Sequence, residues 1–323
     1  MFARRRLVFA FGAAAFAPFA SFAQQQRKVW RVGFLSYRDP GNVSGPFRQG
    51  MRELGYVEGK NLVIEWRSAD ANIERLPEVA AELVRLNVDV LVTMSTPAAQ
   101  AAQKATTAIP IIMIVGDPVG TGLVKSLAQP GGNSTALSLI TAELCPKLLG
   151  MLLEVAPGVS RVAVLFNPAN DVNVVMLKNL EAAAQDLGLK IRPVEATTPP
   201  EIASGFTAMV RENVGAVFVA QDGFLGEHKD FIAELAIKHR LPSISNSNRF
   251  VGVGVLMSYG QDGGENPRRA ATYVDKILKG AKPGDIPVEQ PATFELFINS
   301  KTATALGIKV PQSILARATK VIE

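Results

Sequence analysis

The side chains best suited to bind a small molecule gather where apolar runs give way to helical ones. In "VLVTMSTPAAQAA", Val90 to Ala102, a strand-like run stops at Ser95, Thr96 and Pro97, and an alanine-rich helical run follows at once. Thr96 reads as an N-cap and Pro97 as the first helical residue. A helix start carrying two hydroxyls is also a seat for a carboxylate, because its first N–H groups lack intrahelical acceptors. The two readings are compatible. Asp222, in "VAQDGFLGEH", stands at a similar strand end further along. Its carboxylate could meet a ligand ammonium or could close an Asx-turn ahead of Gly223.

Other strand ends add polar and aromatic candidates. Ser36, Tyr37 and Asp39 follow the first apolar run, and Asp117 follows "IPIIMIV". Asn167 and Asp171 frame "NPAND", and Asn246 follows "LPSIS". Tyr37 and Phe224 could wall an apolar ligand body or pack beneath their loops. The asparagines and aspartates could hydrogen-bond a polar group, but the same residues are ordinary turn formers.

Catalytic chemistry finds few parts. There is no GxSxG elbow, no HExxH, no P-loop, and no GxGxxG placed after a strand. His228 and His239 are the only histidines, match no metal-ligand spacing, and are expected on the polar face of a helix. Asp39 and Asp222 could pair as glycosidase carboxylates, but nothing in the sequence fixes their separation. The lone Cys145 precedes Pro146 in an apolar helical pattern and reads as a packed side chain. No enzyme activity, metal or cofactor is expected.

These residues hang on alternating strand and helix patterns, which predict α/β architecture with parallel sheets buried on both faces. The pattern repeats. "RVGFLSYRDP" from Arg31 is answered by "RVAVLFNPAN" from Arg161, and "NVDVLVTMST" from Asn87 by "NVGAVFVAQD" from Asn213. The ordered correspondence predicts two similar Rossmann-like lobes. Three β-like segments look like chain passing between them: "GGNSTALSLI" (131–140), "VGVLMSYG" (253–260) and "ATFELFIN" (292–299). The expected lobes are 24–140 with about 261–291, and 141–260 with about 292–323. A ligand cleft between them, at the carboxyl ends of the strands, follows from that topology.

Residues 1–23 read as a signal peptide: Arg4 to Arg6, an apolar stretch from Leu7 to Ala20, and Ser21-Phe22-Ala23 before cleavage. The three-arginine start also permits twin-arginine export. The chain has 323 residues, 34 basic and 29 acidic. The signal holds three of the arginines and no acid, so the remainder is close to neutral, at +2. No basic run interleaved with aromatics remains, so nucleic acid is not an expected partner. One cysteine allows no internal disulfide, so the exported fold must stand on its core.

Several stretches carry a family resemblance. They are "RVGFLS", "FRQGMRELGYVEGKNLVIEWRSAD", "LPEVAAELVRLNVDVLVT", "IPIIMIVGDPVGTGLVKSLAQPGGNSTALS", "GVLMSYG" and "RRAATYVDKILKGAKPGDIPVEQPATFELFIN". In these the chain resembles the substrate-binding proteins of bacterial ABC transporters with the type I periplasmic-binding fold, in the subfamily with tryptophan- and tyrosine-binding members. The resemblance runs from about Arg27 to Glu323. It implies a periplasmic monomer that captures a small solute and delivers it to a membrane permease. It also implies a ligand carboxylate at Ser95 and Thr96 and an ammonium at Asp222. The "VAQDGFLGEH" stretch is less apolar than the family pattern at that strand end. From the residues alone, an exported enzyme acting on a small carboxylate or sugar remains an alternative, as does a ligand-sensing receptor partner.

Overall fold

The computed structural model describes residues 28–141, 143–261 and 264–323; the expected signal peptide lies outside them. The first half of the chain forms β1 (Trp30–Ser36), α1 (Gly41–Glu53), β2 (Leu62–Ser68), α2 (Leu76–Arg85) and β3 (Val90–Met94). It continues with α3 (Thr96–Ala105), β4 (Ile111–Val115) and β5 (Ser134–Ser138). The second half opens with α4 (Cys145–Val155), β6 (Arg161–Phe166), α5 (Asp171–Asp186) and β7 (Lys190–Glu195). Next come α6 (Pro199–Arg211), β8 (Ala216–Val219), α7 (Gly223–Glu227) and α8 (Lys229–Lys238). Two strands, β9 (Ser243–Ser245) and β10 (Met257–Gly260), close this half. The tail holds α9 (Glu265–Leu278), β11 (Glu295–Asn299), α10 (Ser300–Leu306), α11 (Gln312–Leu315) and β12 (Lys320–Ile322).

Two sheets result, one per lobe. The first has order β2-β1-β3-β4-β5 and is parallel throughout. The second has order β7-β6-β8-β9-β10-β11-β12, parallel except where β10 meets β11. Its first five strands repeat the order of the first sheet, so the duplication read from sequence is present in the topology. Parallel strands need crossover helices on both faces. Their apolar side chains alternate accordingly: Leu91 and Met113 face a core with Leu83 and Ala98, whereas Val92 and Ile112 face Phe47 and Val274.

The chain passes between lobes three times. It leaves the first sheet after β5 and enters the second lobe at α4. After β10 it returns, and α9 packs on α1 so closely that a Cβ on Gly50 would lie 2.6 Å from the Arg268 carbonyl oxygen. The following segment lies along β5, where Thr135 Oγ1 donates to the Ile286 carbonyl (2.7 Å) and the Ser138 N–H to that of Glu289 (2.8 Å). The third passage leads to β11. Because β5 and β10 adjoin the crossings, the edge strands β2 and β7 lie farthest from the hinge.

Two local expectations need correction. The strand expected over 253–260 begins only at Met257, because Asn248–Val253 forms a 3-10 turn that buries Phe250 and Val251. Gly254, at φ +123°, releases the chain from that turn, so Gly252 and Gly254 precede the strand and only Gly260 lies in it. The histidines bracket α8 instead of lying on its polar face: His228 precedes it and packs edge-on against Phe224, and His239 follows it and stacks near Phe206. Cys145 is fully buried, and burial pushes its thiol up to about 12.

Candidate ligand-binding site

The carboxyl ends of both sheets present their loops to one another. The lobes touch there. The guanidinium of Arg38, after β1, pairs with the Glu227 carboxylate of α7. Gln100 Nε2 of α3 donates to Asp171 Oδ2 at the start of α5, at 2.6 Å. Gly116, just after β4, lies so near the second lobe that a Cβ there would come within 2.5 Å of Val172 Cγ2.

At the end of β3 the N-cap is Ser95, not Thr96 as the sequence suggested. Its Oγ accepts the Ala98 N–H at 3.4 Å, a long bond, and Pro97 therefore sits at the second helical position. Ser95 holds φ +104°, a region L-residues rarely occupy, which costs on the order of 1–3 kcal/mol. The strained turn makes Thr96 the first residue of α3. Thr96 is 2% exposed, and its Oγ1 has no hydrogen-bond partner. Gln100 is one helical turn further along the same face, the face that bridges to α5. Thr96 thus lies on the side of α3 turned toward the second lobe.

The matching turn after β8 is built differently. Asp222 caps α7: its Oδ1 accepts the N–H groups of Phe224 (2.8 Å) and Leu225 (3.1 Å) and the Asn167 amide (3.3 Å). Its Oδ2 accepts from Asn170 Nδ2 at 2.9 Å, leaving a lone pair on that oxygen. Asn173, on the first turn of α5, completes the frame by bonding the backbone of Asn167 and of Gln221. Beside this cluster, burial raises the Tyr37 phenol above its usual value. The Asp222 charge adds to that shift and Arg38 opposes it. The phenol donates to the Ala71 carbonyl at 2.6 Å.

The remaining candidates divide. Asn246 is buried after β9; its Oδ1 accepts the Gln221 N–H (2.8 Å) while Nδ2 has no partner. Ser36 is buried and bonds the carbonyls of Arg38 and Arg67. Asp39 and Asp117 serve their own turns, accepting the N–H of Gly41 (2.8 Å) and of Gly120 (2.7 Å). Asp171 is exposed and engaged with Gln100. Phe224 is half-buried against His228.

Five residues not singled out in the sequence share with Thr96 a buried polar atom without a partner: Trp66, Thr93 and Ser258 within β2, β3 and β10, and Thr141 and Asn170 in the loops. Thr141, in the first passage between lobes, and Asn170 are each 5% exposed, and each has an oxygen without a partner. Buried polar atoms are nearly always hydrogen-bonded, and an unpaired one costs about 1–3 kcal/mol. Thr96, Thr141, Asn170 and Asn246 thus bring four such atoms, all neutral, to the facing loops of both lobes. Among the described residues no cluster of three or more His, Cys, Asp or Glu could hold a metal, and no helix is long and apolar enough to cross a membrane.

Comparison with known proteins agrees with this geometry. Residues 41–322 match the sequence profile of the ABC transporter substrate binding protein family. A tyrosine-binding protein of Clostridioides difficile (strain R20291) is 28% identical over 264 residues, 81% of this chain and 76% of the relative. An ABC domain from Streptococcus pneumoniae in complex with L-Trp is 27% identical and superposes with a TM-score of 0.84, covering 91% of this chain and 99% of that one. The ligand-free, open structure of a substrate binding protein with adhesive properties from Clostridium difficile is 25% identical, with the same coverages and a TM-score of 0.68. The duplicated sheets, the three passages and the facing loops are those of the type I periplasmic-binding fold, and the chain belongs to the ABC transporter substrate-binding protein family.

Proposed function

We propose that this protein captures a small carboxylate-bearing solute outside the cytoplasm, an amino acid with an aromatic or hydrophobic body, and delivers it to an ABC permease. The observation that carries the reading is the set of buried polar atoms without partners on Thr96, Thr141, Asn170 and Asn246. A solute with several donors and acceptors in a small head group would satisfy them. The start of α3 suits its carboxylate through the helix dipole and the N–H and hydroxyl of Thr96, since Pro97 has no N–H and those of Ala98 and Ala99 bond Ser95. Asp222, held by four donors and retaining a lone pair on Oδ2, suits the ammonium. Tyr37 and Phe224 suit the apolar body.

The interlobe contacts and the higher TM-score to the L-Trp complex than to the open, ligand-free relative support a closed arrangement of the lobes. Closure is how such a site would exclude water from a charged head group. Family membership supports delivery to a permease, and residues 1–23 support export, with the mature chain expected to start near Gln24.

Calorimetry tests the solute class, with L-tryptophan and L-tyrosine titrated beside their amides. A charge-assisted bond to the carboxylate is worth about 1.5–3 kcal/mol, so each amide should bind roughly tenfold or more weakly than its acid. Amides that bind as tightly as the acids would show that no carboxylate is read there.

A further inference from the structure

The loop after β1 and the helix α7 meet outside the polar cluster. Tyr37 is fixed from its own lobe by the bond to Ala71, in a turn where Asp70 and Ala71 hold φ +52° and +63°. Its ring occupies the space a side chain at Gly223 would need: a Cβ there would lie 2.4 Å from Tyr37 Cδ1. Arg38, the next residue, pairs with Glu227, one turn along α7 from Gly223 and on the same face. In the first lobe, Ser95 leads from β3 directly into α3. The second lobe alone inserts a short helix at this point, and that helix is the seat for the loop.

We propose that Arg38 and Glu227, with Tyr37 seated on Gly223, form an interlobe latch that stabilises the closed state without solute and slows solute release. The pair joins groups on different lobes and can exist only when they meet, so its energy appears entirely in the closed-to-open equilibrium. Arg38 is 48% exposed and Glu227 18% exposed at the side chain, so water weakens the attraction. A pair of this kind shifts an equilibrium by about 1.4- to fivefold. Arg249, whose guanidinium reaches toward α7 beside Gly226, is a nearby cation that would soften the response to losing Arg38.

Single-molecule energy transfer without added solute tests this independently of solute identity. Dyes are placed at Glu74→Cys and Glu195→Cys, exposed sites by the edge strands β2 and β7, where opening is widest; the buried Cys145 should not react. At low salt the wild type should show a closed population, and Glu227→Gln should lower its closed-to-open ratio by about 1.4- to fivefold. Arg38→Gln should lower it by less, since Arg249 remains near α7; the exchange Arg38→Glu with Glu227→Arg should recover most of the loss, and added salt should shrink the difference. No closed population in the wild type, an unchanged ratio in Glu227→Gln, or an exchange that recovers nothing would each overturn the latch.

Discussion

The turn after β3 and the turn after β8 occupy equivalent places in the duplicated lobes, yet they treat their polar groups in opposite ways. The first keeps Ser95 strained at φ +104°, closes its cap with one long bond, and buries the Thr96 hydroxyl without a partner. The second surrounds Asp222 with four donors before any solute arrives. One turn leaves a hydroxyl unfilled; the other uses asparagines and backbone N–H groups to hold a carboxylate still, although Asn170 Oδ1 beside it is also without a partner. A binding protein needs both, since an unpaired group gains most on binding and an oriented charge loses least entropy.

The comparison breaks most visibly at Asp222. Its replacement by alanine strips the α7 cap and leaves two asparagine amides without an acceptor, so urea denaturation should show a loss of about 2–4 kcal/mol. Thr96→Val should do the reverse. It removes a buried hydroxyl that nothing bonds, so stability should hold or rise by up to about 1 kcal/mol, while affinity for the solute falls by roughly tenfold. A Thr96→Val protein less stable than wild type would show that the hydroxyl is already satisfied. Ser95→Ala should cost about 1 kcal/mol through its lost cap, and should leave the backbone strain in place.

The smallest effect at neutral pH is an alkaline one; Cys145 carries it in the second lobe, and two tyrosines carry it in the first. Tyr56 and Tyr273 pack there, and burial with a nearby Asp275 or Glu289 pushes both phenols up to about 12. The folded state therefore keeps these protons after the unfolded chain, near pH 10, has lost them. The stability this provides is complete below about pH 10 and is lost as pH rises toward 12. Hydrogen exchange across that window should show β1 to β5 loosening as these phenols ionise, and replacing both tyrosines with phenylalanine should flatten the response.

The architecture was readable because it rests on long patterns. Continuous apolar strands alternating with helical runs, and their ordered repeat, led to two sheets that share five parallel strands in one order; the antiparallel pairing of β11 and the β12 beyond it in the second sheet were not foreseen. Short-range detail was harder. Ser95 and Thr96 are both good caps, and only the backbone turn decides that Ser95 takes the role. Asn167, Asn170 and Asp222 read equally as turn formers, and turn formation is part of what they do. Thr141 carried no signal, because its importance comes from lying in the first passage between lobes. The 3-10 turn before β10 hid within an apolar, glycine-spaced run that alternates like a strand.

Native mass spectrometry of freshly purified protein tests the central claim most directly, because it weighs whatever satisfies the unpaired groups. One non-covalent adduct per chain is expected, with the mass of an amino acid bearing an aromatic or hydrophobic side chain. Unfolding should release it, and Thr96→Val should carry less of it. A neutral sugar in its place, or a protein that is empty and binds neither L-tryptophan nor L-tyrosine, would contradict it.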